Sequence, residues 1–156
     1  MSVTDVNDEF GRPLKDLRIS VTDRCNFRCR YCMPRERFNE DHTFLPKRAF
    51  LSFDEIEKVV RSTISLGLEK VRITGGEPLL RKNLPELISK LSKLDIDIAL
   101  TTNASLLKKN AKALRLAGLN RVTISLDALD PELHKQMSDS NISVDSILEG
   151  IDEAVR

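Results

Sequence analysis

No fourth cysteine accompanies those at positions 25, 29 and 32, so a site built from thiolates must borrow another ligand type or leave one position open. The odd count and the tight spacing exclude a disulfide framework, and reduced, clustered cysteines suit a reducing cytoplasm. No apolar run approaches the ~18 residues that span a bilayer, so no membrane partner is expected. Neither sign of charge is in excess: 25 Lys and Arg stand against 24 Asp and Glu, a net charge of +1. That balance offers no whole-chain argument for nucleic acid. The opening residues MSVTDVNDEF are acidic and polar, unlike a signal peptide. Internal repeats and low-complexity tracts are absent too. With 40% hydrophobic and 31% charged residues over 156 positions, the composition is that of one globular domain.

What the chain does have is the stretch Cys25-Asn26-Phe27-Arg28-Cys29-Arg30-Tyr31-Cys32-Met33-Pro34, with all three cysteines spaced C-x3-C-x2-C. Such thiolates favour zinc or an iron–sulfur cluster. Clusters are usually held by four cysteines, so three would leave one iron without a protein ligand. An open coordination position is where a metal site does chemistry, by analogy with catalytic zinc. Two other readings stay open: a Cys3His zinc site completed by His42 or His134, and three unrelated buried thiols.

Hydrophobic periodicity orders the rest. Residues 1–13 are polar and expected to be flexible. Residues 17–22 alternate as a strand. Ser52-Phe53-Asp54-Glu55 has the form of a capping box, opening a helix with Ile56, Val59, Val60 and Ile64 on one face and Gly67 as its stop. The connection from Asp23 to Leu51 is longer than the ~12–15 residues of ordinary loops and carries the cysteines. Strands follow at 70–74, 96–101 and 121–126. Helices follow Asn83, run from about 105 to 117, open at Asp130-Pro131, and begin near Ser143 with Val144, Ile147, Leu148 and Ile151 as a buried stripe. Strand and helix alternating four times predicts an α/β fold with a parallel sheet of right-handed units.

These strands alternate, whereas fully buried parallel strands read as continuous apolar runs. One face carries Leu17, Ile19, Val21, Val71, Ile73, Ile96, Ile98, Leu100, Val122, Ile124 and Leu126, and is the face for helices to cover. The other carries Arg18, Ser20, Thr22, Arg72, Thr74, Asp97, Thr101, Asn103, Thr123, Ser125 and Asp127. A filled β/α barrel has bulky branched residues inside. The polar face here predicts a barrel-like sheet whose lumen holds a polar ligand. The competing reading pairs Arg18 and Arg72 with Asp97 and Asp127 inside the fold. Gly75-Gly76-Glu77-Pro78 stands at the end of the second strand, where glycine lets a ligand approach the backbone or merely makes a turn. Arg24, Arg28, Arg30, Arg35 and Arg37 surround the cysteines; they favour anionic ligands or are simply solvated.

Residues 11–34, GRPLKDLRISVTDRCNFRCRYCMP, resemble the start of a radical S-adenosylmethionine (SAM) enzyme. The strings LRISVTDRCN, CRYCMP and ITGGEPLLRK are similar to those of the GTP 3′,8-cyclase family, whose members begin molybdenum cofactor biosynthesis. The resemblance runs from about Gly11 to the end of the chain and covers about half of such an enzyme. It implies a partial TIM-type β/α barrel with about four β-α units, residues 14–156 being the N-terminal part of a radical SAM core truncated before its C-terminal half. It implies a [4Fe-4S] cluster on Cys25, Cys29 and Cys32, SAM contacts at Tyr31, Gly76 and Ser125, and GTP contacts at Arg18, Arg72 and Thr101. The activity implied is a lyase reaction, GTP to (8S)-3′,8-cyclo-7,8-dihydroguanosine 5′-triphosphate through a 5′-deoxyadenosyl radical. The implied partners are GTP, an external electron donor, the next enzyme of the molybdopterin pathway and a second copy in a homodimer. No catalytic side chain is implied. The family's second cluster and C-terminal Gly-Gly tail have no counterpart here, and Ala104 stands where glycine is common. Two other outcomes remain: a radical SAM enzyme with another substrate, and a truncated product that binds a cluster or zinc without turnover.

Overall fold

Ser52 begins the first helix as its capping box predicts. Its hydroxyl accepts from the Glu55 N–H at 3.2 Å, and the Glu55 carboxylate accepts from the Ser52 N–H at 2.7 Å. In the computed structural model, which describes residues 6–156, the elements are strand β1 (Asp16–Ser20), helix α1 (Phe53–Ile64), β2 (Lys70–Thr74), α2 (Leu84–Leu91), β3 (Asp97–Thr102), α3 (Leu107–Leu116), β4 (Arg121–Ile124), α4 (Pro131–Ser138) and α5 (Val144–Val155). The four strands form one parallel sheet in the order β1-β2-β3-β4. This is the α/β, partial-barrel arrangement expected.

All eleven residues assigned to the helix-covered face lie in or against one apolar cluster. Val71, Ile73, Ile98 and Leu100 are fully buried beneath α1, α2 and α3. Parallel register stacks the opposite face into rows. Arg18 lies beside Arg72, Arg72 beside Ala99, and Ala99 beside Arg121. One row nearer the C-terminal ends, Ser20 pairs with Thr74 and Thr101 with Thr123. The lumen therefore has a row of guanidinium groups below a row of hydroxyls.

Strand ends differ from expectation by a few residues. β1 stops at Ser20, although the Val21 N–H still reaches the Thr74 carbonyl at 3.0 Å. β4 stops at Ile124, with one further bond from the Ser125 N–H to the Thr102 carbonyl at 2.9 Å. The stripe on α5 is also rotated. Val144, Ile147 and Gly150 are buried, whereas Leu148 is exposed. A Cβ on Gly150 would lie 3.3 Å from the Ala104 carbonyl and from Leu107, so the glycine lets α5 lie close against α3 and turns Leu148 outward.

Of the expected flexible N-terminus, residues 1–5 lie outside the described residues. Beyond them, Asn7 bridges Pro13, and the Asp8 carboxylate accepts from the N–H groups of Phe10 and Arg12. Among the described residues no helix is long and apolar enough to cross a membrane.

Candidate metal and cofactor site

The long connection carries the cysteines across the C-terminal ends of the strands. Val21, Phe27 and Met33 are buried and pin it to the body of the fold. Helix C-termini leave carbonyls without intrahelical partners, and two of those on α4 are used here. The Arg28 N–H donates to the Ser138 carbonyl at 2.9 Å and the Arg30 N–H to the Met137 carbonyl at 3.2 Å. The Cys29 carbonyl accepts from the N–H groups of Cys32 and Met33, making a tight turn between the second and third cysteines.

Cys25 and Cys29 are half-buried and Cys32 is exposed. Burial pushes the Cys29 thiol up to about 11, reinforced by the charges of Cys25, Asp127 and Cys32. Burial raises Cys25 as well, with Glu77 and Cys32 adding to it. The three sulfurs thus lie within electrostatic reach of one another, and a metal held there would displace their protons. Among the described residues no three His, Cys, Asp or Glu side chains gather tightly enough to share a single ion. Neither histidine favours the zinc reading. His42 packs tilted against Phe38 and edge-on to Phe44 with centroids 4.6 and 4.7 Å away, and His134 is buried edge-on to Phe27. The donor set fits a cluster.

The glycines after β2 are demanded by the chain that passes over them. A Cβ on Gly75 would lie 2.7 Å from the Thr22 carbonyl oxygen, and one on Gly76 would lie 2.3 Å from that of Arg24 and 2.9 Å from the Cys25 nitrogen. Neither has positive φ. An ordinary turn is therefore the wrong reading, and what approaches this backbone is the cysteine segment itself. Two bonds seal the contact: Gly76 N–H to Thr22 carbonyl at 2.7 Å, and Glu77 N–H to Arg24 carbonyl at 2.8 Å.

Glu77 was missed as an individual residue by sequence reasoning. The residue is 1% exposed. One carboxylate oxygen accepts from the Leu79 N–H at 2.9 Å and the Thr102 hydroxyl at 2.7 Å; the other accepts from the Asn103 N–H at 2.8 Å. Burial raises its pKa while these donors oppose the rise. Asn103 continues the link, donating to the Asn26 side chain at 3.0 Å and lying 3.8 Å from the Cys25 sulfur. The next residue, Ala104, holds φ 60°, a left-handed conformation costing about 1–2 kcal/mol outside glycine. That conformation explains why glycine suits this position.

The structure brings Cys25, Cys29, Cys32, Tyr31, Gly76 and Ser125 to one end of the sheet, with Arg18, Arg72 and Thr101 in the lumen rows below. The internal ion pairs weighed from sequence do not form. Arg18 reaches the Thr74 hydroxyl at 3.4 Å, and the only carboxylate near Arg72 among the described residues is that of Asp16, at 3.8 Å. Asp97 pairs with Arg121. The Thr101 hydroxyl is buried and has no partner among the described residues. Tyr31 donates its hydroxyl to Asp127 at 2.8 Å. Partial burial, then this hydrogen bond, hold the tyrosine pKa above its ordinary value. Several arginines of the basic run serve the loop itself. Arg28 donates to the carbonyls of Cys25, Phe27 and Phe38, Arg24 lies over the Phe44 ring, and Arg35 pairs with Asp139.

The sequence pattern of the radical SAM superfamily matches residues 19–156. The GTP 3′,8-cyclase of Staphylococcus carnosus is 54% identical over 98% of this chain and 46% of its own length. That of Acidothermus cellulolyticus is 55% identical over 96% of this chain and 42% of its own. The chain thus spans less than half the length of these curated relatives. Among solved structures, Streptococcus suis SuiB bound to its precursor peptide SuiA superposes with a TM-score of 0.69 at 24% identity, covering 88% of this chain and 29% of SuiB. Methylornithine synthase gives 0.65 at 18% identity, over 94% of this chain and 43% of its own. At these identities the structural likeness speaks to the fold.

Proposed function

The chain belongs to the radical SAM superfamily, and from that premise we propose that residues 14–156 form the N-terminal part of the core domain of a GTP 3′,8-cyclase. The observation that carries the reading is 52–55% identity to curated cyclases across nearly the whole chain. Members of the superfamily work with SAM and a [4Fe-4S] cluster. In this chain Cys25, Cys29 and Cys32 would hold the cluster, which when bound supplies the electron that splits SAM into methionine and a 5′-deoxyadenosyl radical.

The protein's own groups prepare that chemistry. Phe27, Met33 and the α4 carbonyls fix the cysteine loop, and Glu77 clamps the ends of β2 and β3 beneath it. Tyr31, Gly76 and Ser125 would contact SAM at the rim, where β/α barrels place their sites. Below the rim, Arg18 and Arg72 offer guanidinium forks suited to phosphate oxygens, and the Thr101 hydroxyl, without a partner among the described residues, supports a polar ligand in the lumen. The substrate would be GTP and the product the cyclised 3′,8 nucleotide, formed after hydrogen abstraction from the ribose. An external electron donor, the next enzyme of the molybdopterin pathway, a homodimer and a cytoplasmic location belong to the same reading.

GTP binding tests it. The reconstituted protein should bind GTP, and Arg72→Ala should weaken GTP at least about tenfold, as losing charge-assisted bonds to phosphate would. Iron and sulfide content should be unchanged in that variant. No measurable GTP binding by a protein with full iron and sulfide would point to another radical SAM substrate. Unaltered GTP affinity in Arg72→Ala would remove the arginine from the site.

A further inference from the structure

Two N–H groups point at the sulfur of Cys25. The Phe27 N–H donates to Sγ at 3.4 Å, and the side-chain amide of Asn103 donates from 3.8 Å. Both lengths suit sulfur, whose larger radius holds donors farther off than oxygen does. The first bond is local to the cysteine loop. The second spans 78 positions and exists because Asn103 directly follows the last residue of β3.

The surroundings fix which end of that amide faces the sulfur. Asn103 Oδ1 accepts from the Ser105 N–H at 3.0 Å and from the Ser105 hydroxyl at 2.7 Å, while Nδ2 donates to the Asn26 Oδ1 at 3.0 Å. Asn26 closes the ring by donating to the Ser105 hydroxyl at 2.8 Å. Turning the amide over would set its oxygen against the Asn26 oxygen and the sulfur, and its NH2 against the Ser105 N–H. The backbone is tied as well, its N–H donating to the buried Glu77 carboxylate at 2.8 Å. Asn103 is 9% exposed, so water does little to weaken the bond.

Reduction adds negative charge to a cluster and to the sulfurs that hold it. An N–H aimed at a ligand sulfur therefore favours the reduced state, and such bonds are among the features that set cluster potentials. We propose that Asn103 is a positioning residue that raises the reduction potential of the cluster through its bond to the Cys25 sulfur. The inference rests on the reading that Cys25, Cys29 and Cys32 hold a cluster, which takes one electron from an external low-potential donor.

The test is spectroelectrochemistry of the reconstituted protein without SAM. Asn103→Leu fills a similar volume without the donor. At a fixed ambient potential its ratio of reduced to oxidised cluster should fall about tenfold, a midpoint ~59 mV lower for one electron. Asn103→Asp, with an oxygen where the N–H was, should fall at least as far. Ser105→Ala keeps the Ser105 N–H and with it the orientation of the amide, so its ratio should stay within about twofold of wild type. An unchanged ratio in cluster-loaded Asn103→Leu, or an equal fall in Ser105→Ala, overturns the proposal. Pulsed EPR of the reduced wild type, isotopically labelled only at asparagine side-chain nitrogens, needs no variant. A nitrogen coupled to the cluster is expected, and its absence overturns the proposal. A wild-type protein that takes up no iron and sulfide overturns the cluster reading and this inference with it.

Discussion

Replacing Gly76 by alanine should detach the cysteine loop from the strand ends and abolish cluster binding. The added methyl would need to sit 2.3 Å from the Arg24 carbonyl oxygen and 2.9 Å from the Cys25 nitrogen. Both are backbone atoms, so no side chain can swing aside to make room. Overpacking of well-packed regions costs typically 1–3 kcal/mol and sometimes more. The Gly76 and Glu77 N–H bonds to Thr22 and Arg24 would also be disturbed. We expect a loss of about 3 kcal/mol or more, read as a lower denaturant midpoint, with iron retention falling in parallel. An alanine variant with wild-type stability and full iron content would show that the close approach is not needed.

Glu77→Ala should have a comparable effect by the opposite route, removing an acceptor instead of adding bulk. Its carboxylate satisfies the N–H groups of Leu79 and Asn103 and the hydroxyl of Thr102, all in the interior. Each buried donor left without a partner costs about 1–3 kcal/mol, so the expected loss is roughly 3 kcal/mol or more. Asn103 would lose its tether to β2, and with it the Asn26 and Cys25 contacts would loosen. Chemical denaturation measures the first effect, and cluster retention during gel filtration the second. Glu77→Gln should be milder, because the amide oxygen still accepts although its NH2 faces a donor. Unchanged stability in Glu77→Ala would mean that solvent reaches these donors.

Much of this arrangement was legible in the sequence because it is periodic or local. The alternation of Val71 and Ile73 with Arg72 and Thr74 reported both faces of β2 before any register was known. The capping box at Ser52 and Glu55 and the Asp130-Pro131 helix start rest on interactions within four residues. What escaped depends on contacts far apart in the chain. The Glu77 clamp needs β3 to lie beside β2, and the Tyr31–Asp127 bond spans 96 positions. Arg121 joins the row of Arg18 and Arg72 only through parallel register, and its pairing with Asp97 removes that carboxylate from the competing reading that set it against Arg18 or Arg72 on the shared polar face. Leu148 was misplaced because helical spacing says nothing of how closely Gly150 brings α5 to α3. The glycines after β2 were recognised as a place of close backbone approach, but the group that fills their space is the cysteine segment, where the sequence reading set a ligand or a turn.

The most direct test of the account is the metal content of the anaerobically reconstituted protein beside its Cys29→Ser variant. The account predicts about four irons and four sulfides per chain with absorbance near about 400 nm, and loss of all three in the variant, since a neutral hydroxyl does not replace a soft thiolate. A protein that binds one zinc and no sulfide, or a Cys29→Ser variant that keeps its full iron and sulfide, would contradict it.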